Sequence, residues 1–420
     1  MPAAAQEEGR SPAGYRPVLA DPSVRVLLAA FAVSAAAGTL RTVALALLVY
    51  DLTGSPLLSA LTYGVAFLPQ CVGGLLLGGV ADRARPRPLI AGGHFVDAVA
   101  GVALALGDLS VGAMLVTAAV VGAVEPVFSG SSSRLIADTL VGDAYVLGRS
   151  LFAMASSAAQ LAGLAGGGVA VYVLGVRGAL GVTAAAHLAC ALVVGLCLPD
   201  LPAPREADPG GDRTGGPKPA TARRRSVIGR TWRANVALVR DTHVRVLLAA
   251  QWLPPAFAIG AESLVIPYAG AAELPAGTAA LMLACLPLGM IVGDLTVARL
   301  LRPRTRERLL TPLLCVLGTP LLGFAYAPGP VLGAALLAVS GVGFAYALTV
   351  QRRFRDAVPR AVRGQAFGLL ATGLMTLQGV GPAVFGALAH AVPVHHAIAA
   401  AGAAVLLTAL CLRPRLRPPP

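Results

Sequence analysis

Twelve apolar runs, each near or above the roughly 20 residues that an α-helix needs to cross a bilayer, take up most of the chain. They lie at 23–50, 57–80, 88–107, 110–130, 146–172, 178–198, 244–268, 277–300, 309–326, 330–350, 363–389 and 394–412. The runs are too long for barrel strands and lack a two-residue alternation, so the pattern predicts an all-α polytopic membrane protein of twelve transmembrane helices. The pattern also repeats. The decapeptide Asp21-Pro22-Ser23-Val24-Arg25-Val26-Leu27-Leu28-Ala29-Ala30 returns 220 positions on as Asp241-Thr242-His243-Val244-Arg245-Val246-Leu247-Leu248-Ala249-Ala250, and each copy opens an apolar run. A period this long is no solenoid repeat. It divides the protein into two similar halves that run parallel to each other. Glycines four apart, Gly74/Gly78, Gly163/Gly167 and Gly289/Gly293, let neighbouring helices pack closely.

Composition agrees with lipid as the solvent. The chain is 56% hydrophobic and 13% charged, with mean hydropathy +0.75, whereas soluble domains carry about 25% charged residues. A net charge of +13 and a pI near 10.3 would point to nucleic acid in a soluble chain. Placement excludes that partner. With the N-terminus in the cytoplasm, 31 of the 33 lysines and arginines fall on the inner side: Arg10, Arg16 and Arg25, and the clusters Arg83/Arg85/Arg87, Arg134/Arg149, Arg205 to Arg245, Arg299 to Arg308, Arg352 to Arg363 and Arg413 to Arg417. Only Arg177 falls in an outer loop, and Arg41 falls inside a helix. This asymmetry predicts a multi-pass protein of the cytoplasmic membrane with both termini inside.

The organisation expected is an N-terminal tail at 1–22, a six-helix bundle at 23–198, a linker at 199–243, a second six-helix bundle at 244–412 and a C-terminal tail at 413–420. The first twenty residues lack the apolar core of a cleavable signal, so the first helix serves as the insertion signal. The linker opens Pro/Gly-rich from Pro204 to Pro219. Its second part, from Arg223 to Arg240, sets Val227, Ile228, Trp232, Val236 and Val239 near one helical face among arginines, the pattern of an interfacial helix on anionic lipid. Cys71, Cys190, Cys197, Cys285, Cys315 and Cys411 stand alone in apolar runs, and His390, His395 and His396 cluster at the last outer turn without carboxylate or thiolate partners. Spacing therefore indicates neither a disulfide framework nor a metal site.

The segment Gly78-Gly79-Val80-Ala81-Asp82-Arg83-Ala84-Arg85-Pro86-Arg87, after the second run, resembles the G-x-x-x-D-R-x-G-R-R signature of the major facilitator superfamily. The segments Val49-Tyr50-Asp51-Leu52-Thr53-Gly54-Ser55-Pro56 and Arg363-Gly364-Gln365-Ala366-Phe367-Gly368-Leu369 are similar to its branch of enterobactin-type siderophore exporters and macrolide-efflux proteins. The resemblance runs from about Asp21 to Leu412. It implies two pseudo-symmetric six-helix bundles around a central cavity, working by alternating access, with Gly78, Asp82, Arg83 and Arg87 as a gating motif in which the Asp82 carboxylate latches a helix of the other half. Arg85 and Pro86 depart from the signature. At the 220 offset Arg302 stands where Asp82 does, so the latch is expected in the first half alone. Drug/proton antiporters of the family usually carry an arginine in helix four and a Gly-Pro run in helix five; here helix four has none, and Gly379-Val380-Gly381-Pro382 falls in helix eleven.

Charges at membrane depth are expensive and mark function. Arg41 lies nine residues from the outer end of helix one, about 13 Å at 1.5 Å per residue, too deep for comfortable snorkelling. Asp97, with His94 one turn before it, Glu125, Glu262 and Asp294 are the candidate proton-coupling groups. Arg41, Gln160, Gln251, Trp252 and Gln378 are candidates for the substrate cavity, and Gln70 is a further polar residue in an apolar helix. The sequence thus predicts a proton-coupled exporter of a small amphipathic molecule, acting as a monomer in contact with membrane lipid. It needs no cofactor beyond the proton gradient. An importer or facilitator of a sugar or organic acid is the alternative. A membrane enzyme or receptor finds no catalytic constellation, no nucleotide-binding loop and no room in the outer loops.

Overall fold

The computed structural model describes residues 16–83, 85–140, 143–200, 235–275, 277–297, 301–359 and 363–416. Among them every element is helical. The membrane-length helices, in chain order, are α1 (Pro22–Thr53), α2 (Pro56–Arg83), α3 (Pro86–Leu106) and α4 (Val111–Thr139); α5 and α6 follow as the two arms of Asp143–Cys197. The second half has α7 (Thr242–Ser263, continued by Val265–Ala271), α8 (Thr278–Leu295) and α9 (Pro303–Leu322). It ends with α10 (Pro330–Gly343, continued by Tyr346–Ala357), α11 (Arg363–Ala391) and α12 (Val394–Leu416). Ten described stretches are long and apolar enough to span a bilayer. One of these, the 44 residues of Met154–Cys197, is too long for a single crossing, and α2 adds its 28 residues. The arrangement accords with the twelve crossings expected.

Local sequence sets the helix ends. The repeated decapeptide is a helix start used twice: Asp21 Oδ1 accepts from the backbone N–H of Ser23 and Val24 at 2.8 and 3.3 Å, and Asp241 Oδ1 does the same for His243 and Val244 at 2.8 and 3.1 Å. Gly54 ends α1 at φ +60°, a left-handed cap that only glycine adopts without strain, and Pro56 then opens α2. Gly175, at φ +71°, turns the chain between α5 and α6. The expected linker helix falls almost wholly outside the described residues, which resume with a helical turn at 235–240.

Packing shows the pseudo-symmetry. In the first half α2 packs on α4, α1 on the α5–α6 arms and α3 on the same arms; in the second, α8 packs on α10, α7 on α11 and α9 on α12. Between halves the equivalent pairs are α2 with α11 and α5 with α8. Glycine pairs permit the close approaches. A Cβ on Gly289 would lie 1.9 Å from the Ala338 carbonyl oxygen and one on Gly293 2.5 Å from that of Val342, which locks α8 to α10. Gly163 would meet the Ala36 carbonyl at 2.5 Å, and Gly167 would meet Leu40 Cδ1 at 3.1 Å. Outward, large apolar side chains stay exposed, Leu106 and Leu196 at 78% and Val331 at 84%, as a lipid-facing surface requires.

One apolar cluster joins the halves at the end opposite the arginines: Val43, Ala46, Ala60 and Leu164 of the first half pack with Leu264, Ile266, Ala280 and Phe385 of the second. Close glycine contacts seal it, a Cβ on Gly64 lying 2.7 Å from the Gly379 carbonyl and one on Gly277 2.8 Å from that of Gly168. Ser55 Oγ lies 3.2 Å from His390 Nε2 at the rim. The protein is closed at this end.

Candidate functional site

Arg41 sits inside α1, where Thr39 and Thr42 return their hydroxyls to carbonyls of their own helix at 3.0 and 3.1 Å. The guanidinium therefore looks across to α3, and its Nη1 meets Asp97 Oδ1 at 2.5 Å. Both groups are largely withdrawn from solvent, with side-chain exposures of 17% and 7%. A charge so placed has to be paired, and each supplies the other's partner. A third helix completes the cluster. His187, buried on α6, puts Nδ1 3.9 Å from Asp97 Oδ2. The ring of His94, one turn before Asp97, stacks near that of His187 with centroids 6.1 Å apart and planes at 29°. Neither ring nitrogen of His187 has a hydrogen-bond partner among the described residues.

This cluster forms part of the wall of a cavity of about 700 Å³. Leu27 and Phe31 of α1, Ile136 of α4 and Phe152 of α5 line its arginine-rich side, and Leu45, Thr62, Tyr63 and Leu164 bound it at mid-depth. The cavity thus runs from the arginine-rich end to the middle of the protein and stops at the closed end. Its chemistry is mixed. Phe31, Phe67, Phe128 and Phe152 give aromatic walls, Ser34, Ser132, Ser133 and Ser156 give small hydroxyls, and Arg41, Asp97, Glu125 and Glu262 give charge. Glu262 and Ile259, both on α7, are what the second half contributes. Glu125 and Glu262 have no ion-pair partner among the described residues, which leaves the cavity with more carboxylates than cations. The Tyr63 hydroxyl, also buried and facing this cavity, lacks a hydrogen-bond partner there as well.

Of the residues singled out from sequence, Arg41, Gln70, His94, Asp97, Glu125, Gln160 and Glu262 line this one cavity, although the chain separates them by up to about 220 positions. Gln251, Trp252, Gln378 and Asp294 do not. Gln251 is buried and donates Nε2 to the Leu247 carbonyl of its own helix at 3.2 Å, and Trp252 Nε1 bonds the Leu370 carbonyl of α11 at 2.9 Å. Both are committed to packing around α7. Gln378 is half-buried on α11, and Asp294 is half-buried near the end of α8. Gly78, Asp82 and Arg83 occupy the last turns of α2, with side chains outside the described residues; Arg87 bonds the Gly195 carbonyl of α6. Sequence reasoning passed over His187 and Tyr63. A lone histidine inside the apolar run 178–198 was the available signal for the first; nothing local marked the second.

Spacing in the sequence indicates no metal ligands; the fold sets three residues with ligand atoms side by side without showing an ion there. His94, Asp97 and His187 come together from α3 and α6, each offering a ligand atom within 4.8 Å of the others. A pair three residues apart and a third ligand 90 positions on follow no sequence template.

A helical, pseudo-symmetric, two-bundle membrane protein with a central cavity closed at one end defines the transporter class of fold. A family model for the Major Facilitator Superfamily matches residues 26–354, and the chain belongs to that superfamily. Among solved structures it is similar to the nucleoside transporter NupG, at 15% identity over 95% of this chain and 100% of that one, with a TM-score of 0.71. It is also similar to the peptide transporter POT in complex with alafosfalin, at 14% identity over 97% and 99% of the chains and a TM-score of 0.68. A bacterial homolog of the human lysosomal transporter Spinster, inward-facing and unoccupied, aligns at 14% identity over 97% and 96%, with a TM-score of 0.63. No curated protein matches the sequence significantly. At these identities the likeness establishes the fold.

Proposed function

We propose that the protein is a proton-coupled exporter of a small amphipathic cation, held in the cytoplasmic membrane with its arginine-rich end and both termini inside. The observation that carries this reading is a pair of carboxylates without an ion-pair partner among the described residues, Glu125 from one half and Glu262 from the other, lining one aromatic-walled cavity that is closed at the far end. A cation with an apolar body fits such a wall through charge and cation–π attraction. Protons compete with it for the same two carboxylates. Substrate enters from the cytoplasmic side as protons leave; rocking of the residue 23–198 bundle against the residue 244–412 bundle, with the Asp82 latch reset, then exposes the cavity outward, where protons displace the substrate. The chemistry done is movement, not catalysis, and the proton gradient is the energy source. The efflux-protein likeness of the motifs at Val49–Pro56 and Arg363–Leu369 supports this direction.

The test is uptake of a fluorescent amphipathic cation into everted vesicles energised by a pH gradient. Glu125→Gln and Glu262→Gln are each expected to lower uphill uptake at least about tenfold while substrate-for-substrate exchange continues. Uphill uptake unchanged in both variants excludes these carboxylates as carriers. Whole-cell accumulation reads direction: lower accumulation on expression supports export, and a rise shows an importer.

A further inference from the structure

The cluster on the first-half wall has a chemistry that carrying an organic cation does not use. We propose that His94, Asp97 and His187 form a binding site for a first-row transition-metal dication of the zinc and cobalt class, open on one side to the cavity.

The donor set comes first. Two imidazoles and one carboxylate are the ligands that zinc, cobalt(II) and their neighbours take, and a three-ligand set leaves a position for water or for an atom of the cargo. Geometry comes second. The three ligand atoms already lie within 4.8 Å of one another. Bonds of about 2.0–2.1 Å in a tetrahedral site set ligand atoms roughly 3.3 Å apart, so closing the site takes a shift on the order of an ångström in side chains. Third, His187 is 3% exposed, and neither ring nitrogen has a hydrogen-bond partner among the described residues. Buried polar atoms are nearly always satisfied, and an imidazole nitrogen held at a carboxylate on a cavity wall is satisfied by a cation or by water.

Arg41 looks like an obstacle and instead has a role. It takes Oδ1 of Asp97 and leaves Oδ2 toward His187. A hydrogen-bond donor on the far oxygen of a ligating carboxylate is the usual outer-shell partner, fixing its orientation. Glu125, which lines the same cavity, adds a negative charge to the wall that the site shares. His395 and His396, paired at the outer turn with ring centroids 4.3 Å apart, are a built-in control.

The experiment uses the untagged full-length protein in detergent, titrated with Co²⁺ while ligand-field absorption in the visible is followed, then competed with Zn²⁺. One saturable Co²⁺ per chain, displaced by Zn²⁺, is expected. His187→Gln and His94→Gln should each weaken it at least about tenfold, and His396→Gln should not. Thermal melts show that each variant is folded, and Zn²⁺ should raise the melting temperature of the unsubstituted protein but not of His187→Gln. Folded protein that takes up no Co²⁺, or that binds it equally in both cavity variants, overturns the proposal. Uphill uptake of the organic cation in the presence of a chelator is measured alongside, so loss of the metal site and loss of the export reading register separately.

Discussion

The Arg41–Asp97 pair makes a prediction that tests how the first half is held together. Replacing Asp97 by Asn leaves a guanidinium inside α1 that is only 17% exposed and has lost its carboxylate; replacing Arg41 by Gln strands a carboxylate that is 7% exposed. Unit charges about 4 Å apart at an effective dielectric of about 20 attract by roughly 4 kcal/mol, and breaking such a pair from one side costs about 3–5 kcal/mol. The cavity gives Arg41 some water, which places its stranded cost near the lower figure, about 3 kcal/mol. For a cooperative unit the size of one half, that is a fall of roughly 6–12 °C in melting temperature. Removing both charges together leaves a neutral amide pair that the site accommodates without a desolvated ion. The double variant Arg41→Gln with Asp97→Asn should therefore lose less than the sum of the two single losses, with a coupling energy of about 2–3 kcal/mol. The assay is thermal unfolding of the four proteins in one detergent, with chelator present so that metal does not enter the comparison. A double variant whose loss equals the sum of the two single losses refutes the reasoning, because the charges would then be acting independently.

Two further predictions rest on packing and on orientation. Gly289→Val pushes side-chain atoms onto the Ala338 carbonyl, where even a Cβ would lie at 1.9 Å, and should destabilise α8 against α10 by more than about 2 kcal/mol, whereas Gly38→Ala enters open space and should leave the melting temperature unchanged. In a cysteine-free background, Tyr326→Cys, at a position 90% exposed, should react with a membrane-impermeant maleimide on intact cells, and Arg413→Cys only after permeabilisation; the reverse pattern would invert the membrane orientation.

The helical fold was legible because lipid leaves the chain few options. Run length and the absence of alternation follow from the requirement that every backbone group be satisfied within its own helix, and Asp21 and Asp241 cap their helices identically, as the doubled decapeptide leads one to expect. The candidate site was legible only in part, and the residues show why. Arg41, Asp97, Glu125 and Glu262 announced themselves by cost, since an ionisable group inside an apolar run needs a reason. Gln251 and Trp252 looked similar in the sequence, yet their polar atoms are spent on the Leu247 and Leu370 carbonyls, and no one-dimensional pattern tells a group turned to its own backbone from one turned to a cavity. His187 is the converse. It is neutral at low cost, so it raised no alarm, and its meaning arises from α6 lying against α3.

The placement of charge also divides the labour between the halves. Along the 220 offset Arg41 corresponds to Ala261, so the second half lacks the guanidinium and offers Glu262 one position on. Among the described residues the first half therefore brings to the cavity a compensated pair beside one carboxylate without an ion-pair partner, and the second half brings another such carboxylate. Two uncompensated carboxylates facing one space repel each other unless a proton or a cationic substrate lies between them. In the proposed mechanism, rocking the halves apart would change their separation and with it the affinity for either cation, which is the differential interaction that exchange requires.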